Sequence, residues 1–117
     1  MRKLSTHVLD TVHGRPAAGM KIELFRITPN SPARILETKT NADGRTDSPL
    51  LEGAALEPGE YEIVFHAADY FRAAGSPMQD PPFLGKIPIR FSIAPGDAGY
   101  HVPLLCSPWS YSTYRGS

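Results

Sequence analysis

Two histidines lie in segments where their chemistry could be used. His7 belongs to LSTHVLD (4–10) and His101 to YHVPLLCS (100–107). An imidazole gains and loses a proton near neutral pH, so a positioned histidine can act as a general base that activates water. Both segments alternate between apolar and other residues, which is typical of half-buried β-strands.

The alternation assigns both histidines to the outer face of a sheet. Side chains of successive strand residues point to opposite faces. The residues expected to face the core are Leu4, Thr6, Val8, Tyr100, Val102, Leu104 and Cys106. The outer face then holds His7 and His101 together with leucine and proline, so we expect a partner subunit to cover it. Periodicity alone equally allows two surface histidines on a solvated sheet.

The other residues that could take part in chemistry give weaker evidence of a functional site. His13 lies in a turn signal and His66 at the end of a strand, so we expect both to be solvated. Cys106 is expected to be a buried apolar side chain rather than a nucleophile. A catalytic zinc ion normally takes three protein ligands, and no third is apparent beside His7 and His101, so we expect no metal.

The elements that must position these residues form an all-β fold. Strand-like segments alternate with turn signals such as Asp43-Gly44 and Pro58-Gly59, which predicts an antiparallel β-sandwich of about seven or eight strands. The predicted strands are 4–10, 20–25, 33–40, 60–66, 86–93, 100–107 and 110–115. One short helix is predicted at AADYFRAAG (67–75), which holds good helix formers and ends on a glycine.

Length and composition limit the classes of function. The 117 residues predict a single domain, 1–117. Twelve basic side chains balance twelve acidic ones, so we expect neither nucleic acid nor a membrane as partner. The single cysteine and the absence of an apolar signal segment favour the cytoplasm. The expected partner is a small molecule or another copy of the chain.

Three stretches carry a resemblance to a known family. They are LSTHVLDTVHGRPAAGMKIELFR (4–26), TKTNADGRTDSPL (38–50) and YHVPLLCSPWSYSTYRGS (100–117). Together they resemble the transthyretin-related 5-hydroxyisourate hydrolases. The resemblance implies a transthyretin-like (prealbumin-like) sandwich of two four-stranded sheets with one short helix. It also implies a homotetramer, built as a dimer of dimers, with active sites in the channel between the dimers and no cofactor.

The implied activity is hydrolysis of 5-hydroxyisourate to 2-oxo-4-hydroxy-4-carboxy-5-ureidoimidazoline in urate breakdown. Water would add to a ring carbonyl and the neighbouring C–N bond would break. By the family's motifs, the implied catalytic residues are His7, Arg45, His101 and Ser117. The implied substrate-binding residues are His7, Arg45, Tyr114 and Arg115.

These residue types suit the implied reaction. A general base contributes on the order of a hundred- to ten-thousand-fold in rate, and either His7 or His101 could supply it. The cationic fork of Arg45 could bind charge that develops on the substrate. The hydroxyl and carboxylate of Ser117 could orient a histidine or the water. Arg45 could instead be a turn residue, and Arg115 could simply pair with a carboxylate.

The chain departs from the family pattern at two positions. Family members commonly have His-Tyr-His where this chain has Gly99-Tyr100-His101, and leucine where it has Cys106. We assign Trp109 and Tyr111 to packing and subunit contact. Two rival functions are a carrier of a hydrophobic ligand in the same channel, which would lack the histidine pair and the terminal Arg-Gly-Ser, and a sandwich module for adhesion or scaffolding.

Overall fold

A computed structural model describes residues 2–96 and 99–116. The strands are β1 (Lys3–Asp10), β2 (Arg15–Pro16), β3 (Lys21–Arg26), β4 (Ala33–Lys39), β5 (Leu51–Glu52), β6 (Gly59–Phe65), β7 (Ile87–Ile93), β8 (Tyr100–Cys106) and β9 (Tyr111–Thr113). The α-helix α1 (Ala67–Ala73) follows β6, and a 3-10 turn spans Gly53–Ala55. Over the described residues, no helix is long and apolar enough to cross a membrane.

The strands form two sheets. Sheet A has the order β2-β1-β8-β9, and β5 pairs with the start of β1; sheet B has the order β4-β3-β6-β7. The predicted two-sheet sandwich with one short α-helix is confirmed. Two details go beyond the prediction of an antiparallel sandwich of two four-stranded sheets: β1 and β8 run parallel, and the two-residue strand β5 adds a fifth strand to sheet A. Alternation carries no strand direction, and two-residue strands are too short to show a period.

The core lies between the two sheets. The predicted inward faces of β1 and β8 are confirmed: Leu4, Val8 and Leu104 are fully buried. Tyr100 is only partly buried, at the edge of the core. Phe71 of α1 is fully buried as well, so the helix is anchored to the core. Burying a side chain of this size contributes roughly 1.5–3 kcal/mol to the free energy of folding. These apolar contacts are therefore the main stabilising contribution that holds the sheets together.

Of the two histidines expected to be solvated, one is buried. His66 caps the start of α1, and its Nε2 lies 2.6 Å from Oε1 of Glu23 on β3. The surface prediction for His66 is therefore wrong, because the helix that follows the strand covers the strand end. The hydrogen bond from His66 holds the pKa of Glu23 below its usual range. His13 is exposed as predicted, although its Nδ1 lies 2.6 Å from Oδ2 of Asp10.

Cys106 is buried as a free thiol, as expected. Burial, together with the charge of Asp10, raises the pKa of this thiol to about 12. A thiol with so high a pKa is protonated at neutral pH and is a poor nucleophile.

The predicted turn at Asp43-Gly44 packs directly on β1. The Val8 amide donates to the Gly44 carbonyl at 2.8 Å. Gly44 has φ +76°, and a Cβ there would lie 2.5 Å from the Val8 carbonyl oxygen. Only glycine fits both the left-handed backbone and the close approach. The contact holds the next residue, Arg45, beside the middle of β1.

We expect Gly44→Ala to destabilise the protein more than Gly14→Ala. Gly14 also has a positive φ, +67°, but a Cβ there would meet no atom of another residue within 4 Å, apart from its chain neighbours. Gly14→Ala should cost about 1–2 kcal/mol for the backbone alone, and Gly44→Ala should cost about 1–3 kcal/mol more for the overlap with Val8. Urea denaturation measures both. Equal losses of unfolding free energy in the two variants would show that the turn at Gly44 does not pack closely on β1.

Candidate active site

The parallel pairing of β1 and β8 brings the two predicted histidines onto one outer face. Ser5 is the Cα partner of His101, and His7 is the partner of Pro103, two residues further along. From the standard spacings of strands and residues, the Cα atoms of His7 and His101 are roughly 8 Å apart. Both side chains are partly exposed in the single chain.

His101 is held on both edges of its ring. On one edge, Nδ1 lies 2.9 Å from Oγ of Ser5. On the other edge, Gly116 packs so closely that a Cβ there would lie 2.6 Å from Cδ2 of the ring. The Gly116 amide also donates to the His101 carbonyl at 2.8 Å, which ties the chain end to β8.

Burial and positive charge lower the pKa of His101. Burial disfavours the charged imidazolium, and the cations Arg45 and Lys3 together with His7 disfavour it further. The ring is therefore kept neutral to a lower pH than a solvated histidine, and a neutral imidazole can accept a proton from water.

His7 has a defined tautomer. Its Nε2 lies 2.9 Å from the backbone oxygen of Asp43. A carbonyl oxygen only accepts, so Nε2 carries the hydrogen and the neutral ring keeps its lone pair on Nδ1. An isolated antiparallel bridge between His7 and Arg45 fixes the same loop to β1.

Arg45 is held by a loop that Asn41 organises. The backbone amide of Asn41 donates to the Arg45 carbonyl at 2.7 Å. The side-chain Oδ1 of Asn41 accepts from the backbone amides of Asp43 and Arg45. Nδ2 of Asn41 donates to Asp47 at 3.0 Å. Arg45 thus follows the turn directly and is bridged to His7, and its role in catalysis and substrate binding stays a prediction.

Arg45 and Ser5 line one shallow groove of about 230 Å³. The other lining residues are Lys3, Thr6, Thr46, Asp47, Ser48 and Pro49. A larger groove, about 530 Å³, lies elsewhere, between α1 and the segment that joins β2 to β3. Its lining includes His66 but neither His7 nor His101, so size does not identify the site here.

The resemblance also predicts Tyr114, Arg115 and Ser117 as site residues. Tyr114 and Arg115 line a separate groove of about 270 Å³, between β7 and the strands β8 and β9. The Arg115 guanidinium lies 4.3 Å from the centre of the Tyr100 ring. Ser117 lies outside the described residues, next to the Gly116 that packs on His101.

Two structural features of the site had little or no signal in the sequence. Ser5 shares the predicted outer face, but only the parallel register shows that it meets His101. Gly99 lies so close to β1 that a Cβ there would be 2.8 Å from the Lys3 carbonyl oxygen. With this backbone geometry, a side chain at position 99 would collide with the start of β1.

Metal ligands are not clustered in the described part of the chain. Over residues 2–96 and 99–116, no three His, Cys, Asp or Glu side chains lie together in a way that could hold a metal ion.

Comparison with known proteins gives consistent results over the whole chain. The model of the HIUase/Transthyretin family matches residues 4–116. A protein of Rhizobium meliloti named 5-hydroxyisourate hydrolase 2 is 57% identical over 115 residues, which cover 98% of this chain and 96% of the relative.

Two solved structures show the same fold. A crystal structure of (S)-allantoin synthase has a TM-score of 0.93 and 46% identity; the match covers 99% of this chain but only 44% of that one. Sea bream transthyretin in complex with thyroxine has a TM-score of 0.86 and 27% identity, over 97% of this chain and 94% of that one.

We expect Arg45→Gln to raise the pKa of His101. The substitution removes a positive charge that disfavours the imidazolium, so protonation becomes easier. Titration of the ring by NMR measures the pKa. Arg90→Gln is the control, because Arg90 pairs with Glu62 on sheet B and should leave His101 unchanged. A His101 pKa that stays constant or falls in Arg45→Gln would place Arg45 outside the site.

Proposed function

The chain belongs to the HIUase/Transthyretin family, and we propose that it hydrolyses 5-hydroxyisourate by histidine-assisted attack of water on a ring carbonyl. The reaction follows from the 57% identity, over nearly the full length of both chains, to a protein named for it. The observation that carries the mechanism is the placement of His7 and His101 on one outer face, with Arg45 bridged to His7. The product would be 2-oxo-4-hydroxy-4-carboxy-5-ureidoimidazoline, in urate degradation.

We assign the general base to His101. Its lowered pKa favours the neutral ring, and Ser5 contacts Nδ1, so we assign proton uptake to the other nitrogen, Nε2; this requires the neutral ring to carry its hydrogen on Nδ1. Water attacks the ring carbonyl carbon as its proton moves to Nε2. The C–N bond then breaks, and the proton passes from the imidazolium to the departing nitrogen.

Arg45 stabilises the charge of this reaction. Negative charge builds up on the carbonyl oxygen when water adds, and a guanidinium held by a fixed loop is ready to bind it without reorganising. The same positive charge helps to keep His101 neutral before the reaction starts. His7, with its hydrogen on Nε2, would bind the substrate and offer its Nδ1 lone pair to a donor group of the ring.

The proposed site includes residues at the chain end. We assign to Ser117 the orientation of a histidine or of the water, and to Tyr114 and Arg115 the binding of the planar substrate. Within one chain, the lining of the groove that holds Tyr114 and Arg115 includes neither His7 nor His101. Their role therefore requires a second subunit that brings its own chain end to the histidine pair.

We propose that four chains assemble as a dimer of dimers. Several large apolar side chains remain exposed in the single chain, and burial in a contact between subunits would remove them from water. They include Val12 (50% exposed), Trp109 (52%), Tyr111 (44%) and Tyr114 (61%). Within its own chain Trp109 stacks on the similarly exposed Phe83, with ring centres 6.1 Å apart.

Hydrolysis is favoured over carriage of a hydrophobic ligand. Sea bream transthyretin shares the fold at 27% identity, whereas the identity to the named hydrolase is 57%. A partly buried histidine pair beside an arginine is costly on a surface that only has to bind an apolar ligand, and it is useful for moving a proton. An adhesion or scaffolding module would have no need of it.

The proposed reaction uses water as its second reactant and needs no cofactor or metal. We propose that each chain forms one catalytic domain. We also propose that the enzyme acts in the cytoplasm. The buried free thiol of Cys106 supports that location, because a reducing compartment keeps single cysteines reduced.

We expect His7→Ala and His101→Ala each to lower the rate by at least about a hundredfold, the low end for losing a general base or its partner. Both side chains lie on the outer face, so folding should be intact. The assay follows the absorbance of 5-hydroxyisourate made from urate by urate oxidase. His13→Ala is the matched control outside the site and should keep its activity. A site variant with near-native turnover would exclude that histidine from catalysis.

We expect a C-terminal hexahistidine extension, or deletion of residues 114–117, to abolish or severely reduce hydrolysis. The chain end packs against His101 through Gly116, so added residues would have to pass through the site. The same tag on Met1 should be tolerated.

Circular dichroism and sedimentation serve as controls for this comparison. Each tagged protein should keep a β-type spectrum and sediment as a tetramer. Equal activity of the two tagged tetramers would remove the chain end from the site, and a fully active monomer would contradict the proposed assembly.

A further inference from the structure

We propose that Ser5 is a positioning residue for His101: its hydroxyl accepts the Nδ1–H of the imidazole and so keeps the lone pair on Nε2, where the reaction needs it. The inference rests on the proposed function, because it concerns the residue assigned there as the base. It adds a residue to which neither the family motifs nor the alternation pattern assigns a role.

The contact follows from the strand register. Ser5 and His101 are Cα partners in the parallel pair of β1 and β8, and both point to the outer face. The next residue, Thr6, is buried, and its hydroxyl donates to the Val102 carbonyl at 2.7 Å. A slip by one residue would break that buried hydrogen bond and turn the side chains over, so Ser5 is held opposite His101.

Ser5 also decides between two ring orientations. The close packing of Gly116 on Cδ2 limits the position of the ring. A 180° turn of the imidazole keeps almost the same shape but exchanges Nδ1 with Cδ2. Only one of the two orientations places a nitrogen 2.9 Å from Oγ of Ser5; the other would face the hydroxyl with a carbon. The hydrogen bond therefore fixes which ring atoms point away from Ser5.

The direction of the hydrogen bond matters for the reaction. A serine hydroxyl can donate to Nδ1 or accept from it. If it donated, the neutral ring would carry its hydrogen on Nε2, which could then take no proton from water. If it accepts, Nε2 is free in the neutral ring, and the same hydrogen bond persists after Nε2 is protonated. Only a hydroxyl that accepts from Nδ1–H keeps its hydrogen bond unchanged in both the neutral ring and the protonated ring.

The accepting hydroxyl also counteracts the surroundings of the ring that disfavour the imidazolium. Burial and the positive charges of Arg45, His7 when protonated, and Lys3 all disfavour the imidazolium that forms when the base takes a proton. A hydrogen bond from Nδ1–H to a neutral oxygen favours that charged form. Removing Ser5 should therefore lower the affinity of His101 for its proton as well as loosen the ring.

The test compares Ser5→Ala, Ser5→Thr and Ser31→Ala in the 5-hydroxyisourate assay. Ser5→Ala should lower kcat by roughly ten- to a hundredfold, by analogy with the loss of a residue that orients a metal-binding histidine. Its acid limb in the pH profile of kcat/KM should move to lower pH, since the imidazolium has lost a hydrogen bond. Ser5→Thr retains the hydroxyl and should restore both quantities. Ser31→Ala removes an exposed serine hydroxyl from the loop between β3 and β4 of sheet B and should change neither.

A second measurement needs no turnover. Nitrogen-15 NMR shifts distinguish the two neutral tautomers, and His101→Gln assigns the His101 signals. The wild type should show hydrogen on Nδ1 of His101, and Ser5→Ala should lose that preference. Hydrogen on Nε2 in the wild type, or an unchanged kcat and acid limb in Ser5→Ala, would overturn the proposal. A wild type that does not hydrolyse 5-hydroxyisourate would instead refute the proposed function, while the NMR result would still decide the role of Ser5.

Discussion

The parallel pairing of β1 with β8 is the constraint on which the site depends. It joins two strands that lie almost a whole chain length apart in sequence, from Leu4 opposite Tyr100 to Asp10 opposite Cys106. Its inner face packs into the core, and its outer face carries Ser5, His7 and His101. Because the inner face is apolar and closely packed, the register cannot slip without exposing the core. The apolar packing that stabilises the sandwich thus also fixes the register that places the site residues.

Three close backbone approaches complete the site around that pair. Gly44 lets the loop that carries Arg45 rest on Val8, Gly99 lets the chain before β8 pass beside Lys3, and Gly116 lets the chain end pack on the His101 ring. In each case a β-carbon would come within 3 Å of another atom. Glycine at position 99 thus has a structural explanation in this chain.

Strand alternation predicted which faces are buried, because burial imposes a period of two that can be read directly. It placed Leu4, Val8 and Leu104 inside and His7 and His101 outside. It could not predict that β1 and β8 are parallel, since direction depends on contacts distant in sequence. For the same reason it missed the Ser5–His101 hydrogen bond and placed His66 on the surface, although the following helix buries it. The resemblance supplied Arg45, and the fold explains how Arg45 comes to lie beside His7.

The central claim is that this chain, assembled from its own copies, hydrolyses 5-hydroxyisourate. The most direct measurement follows the absorbance of 5-hydroxyisourate formed from urate by urate oxidase, with and without the purified wild-type protein. We predict that the signal decays faster than it does spontaneously, in proportion to the amount of protein added. A decay no faster than that with the heat-denatured protein, at concentrations where the protein sediments as a tetramer, would contradict the claim.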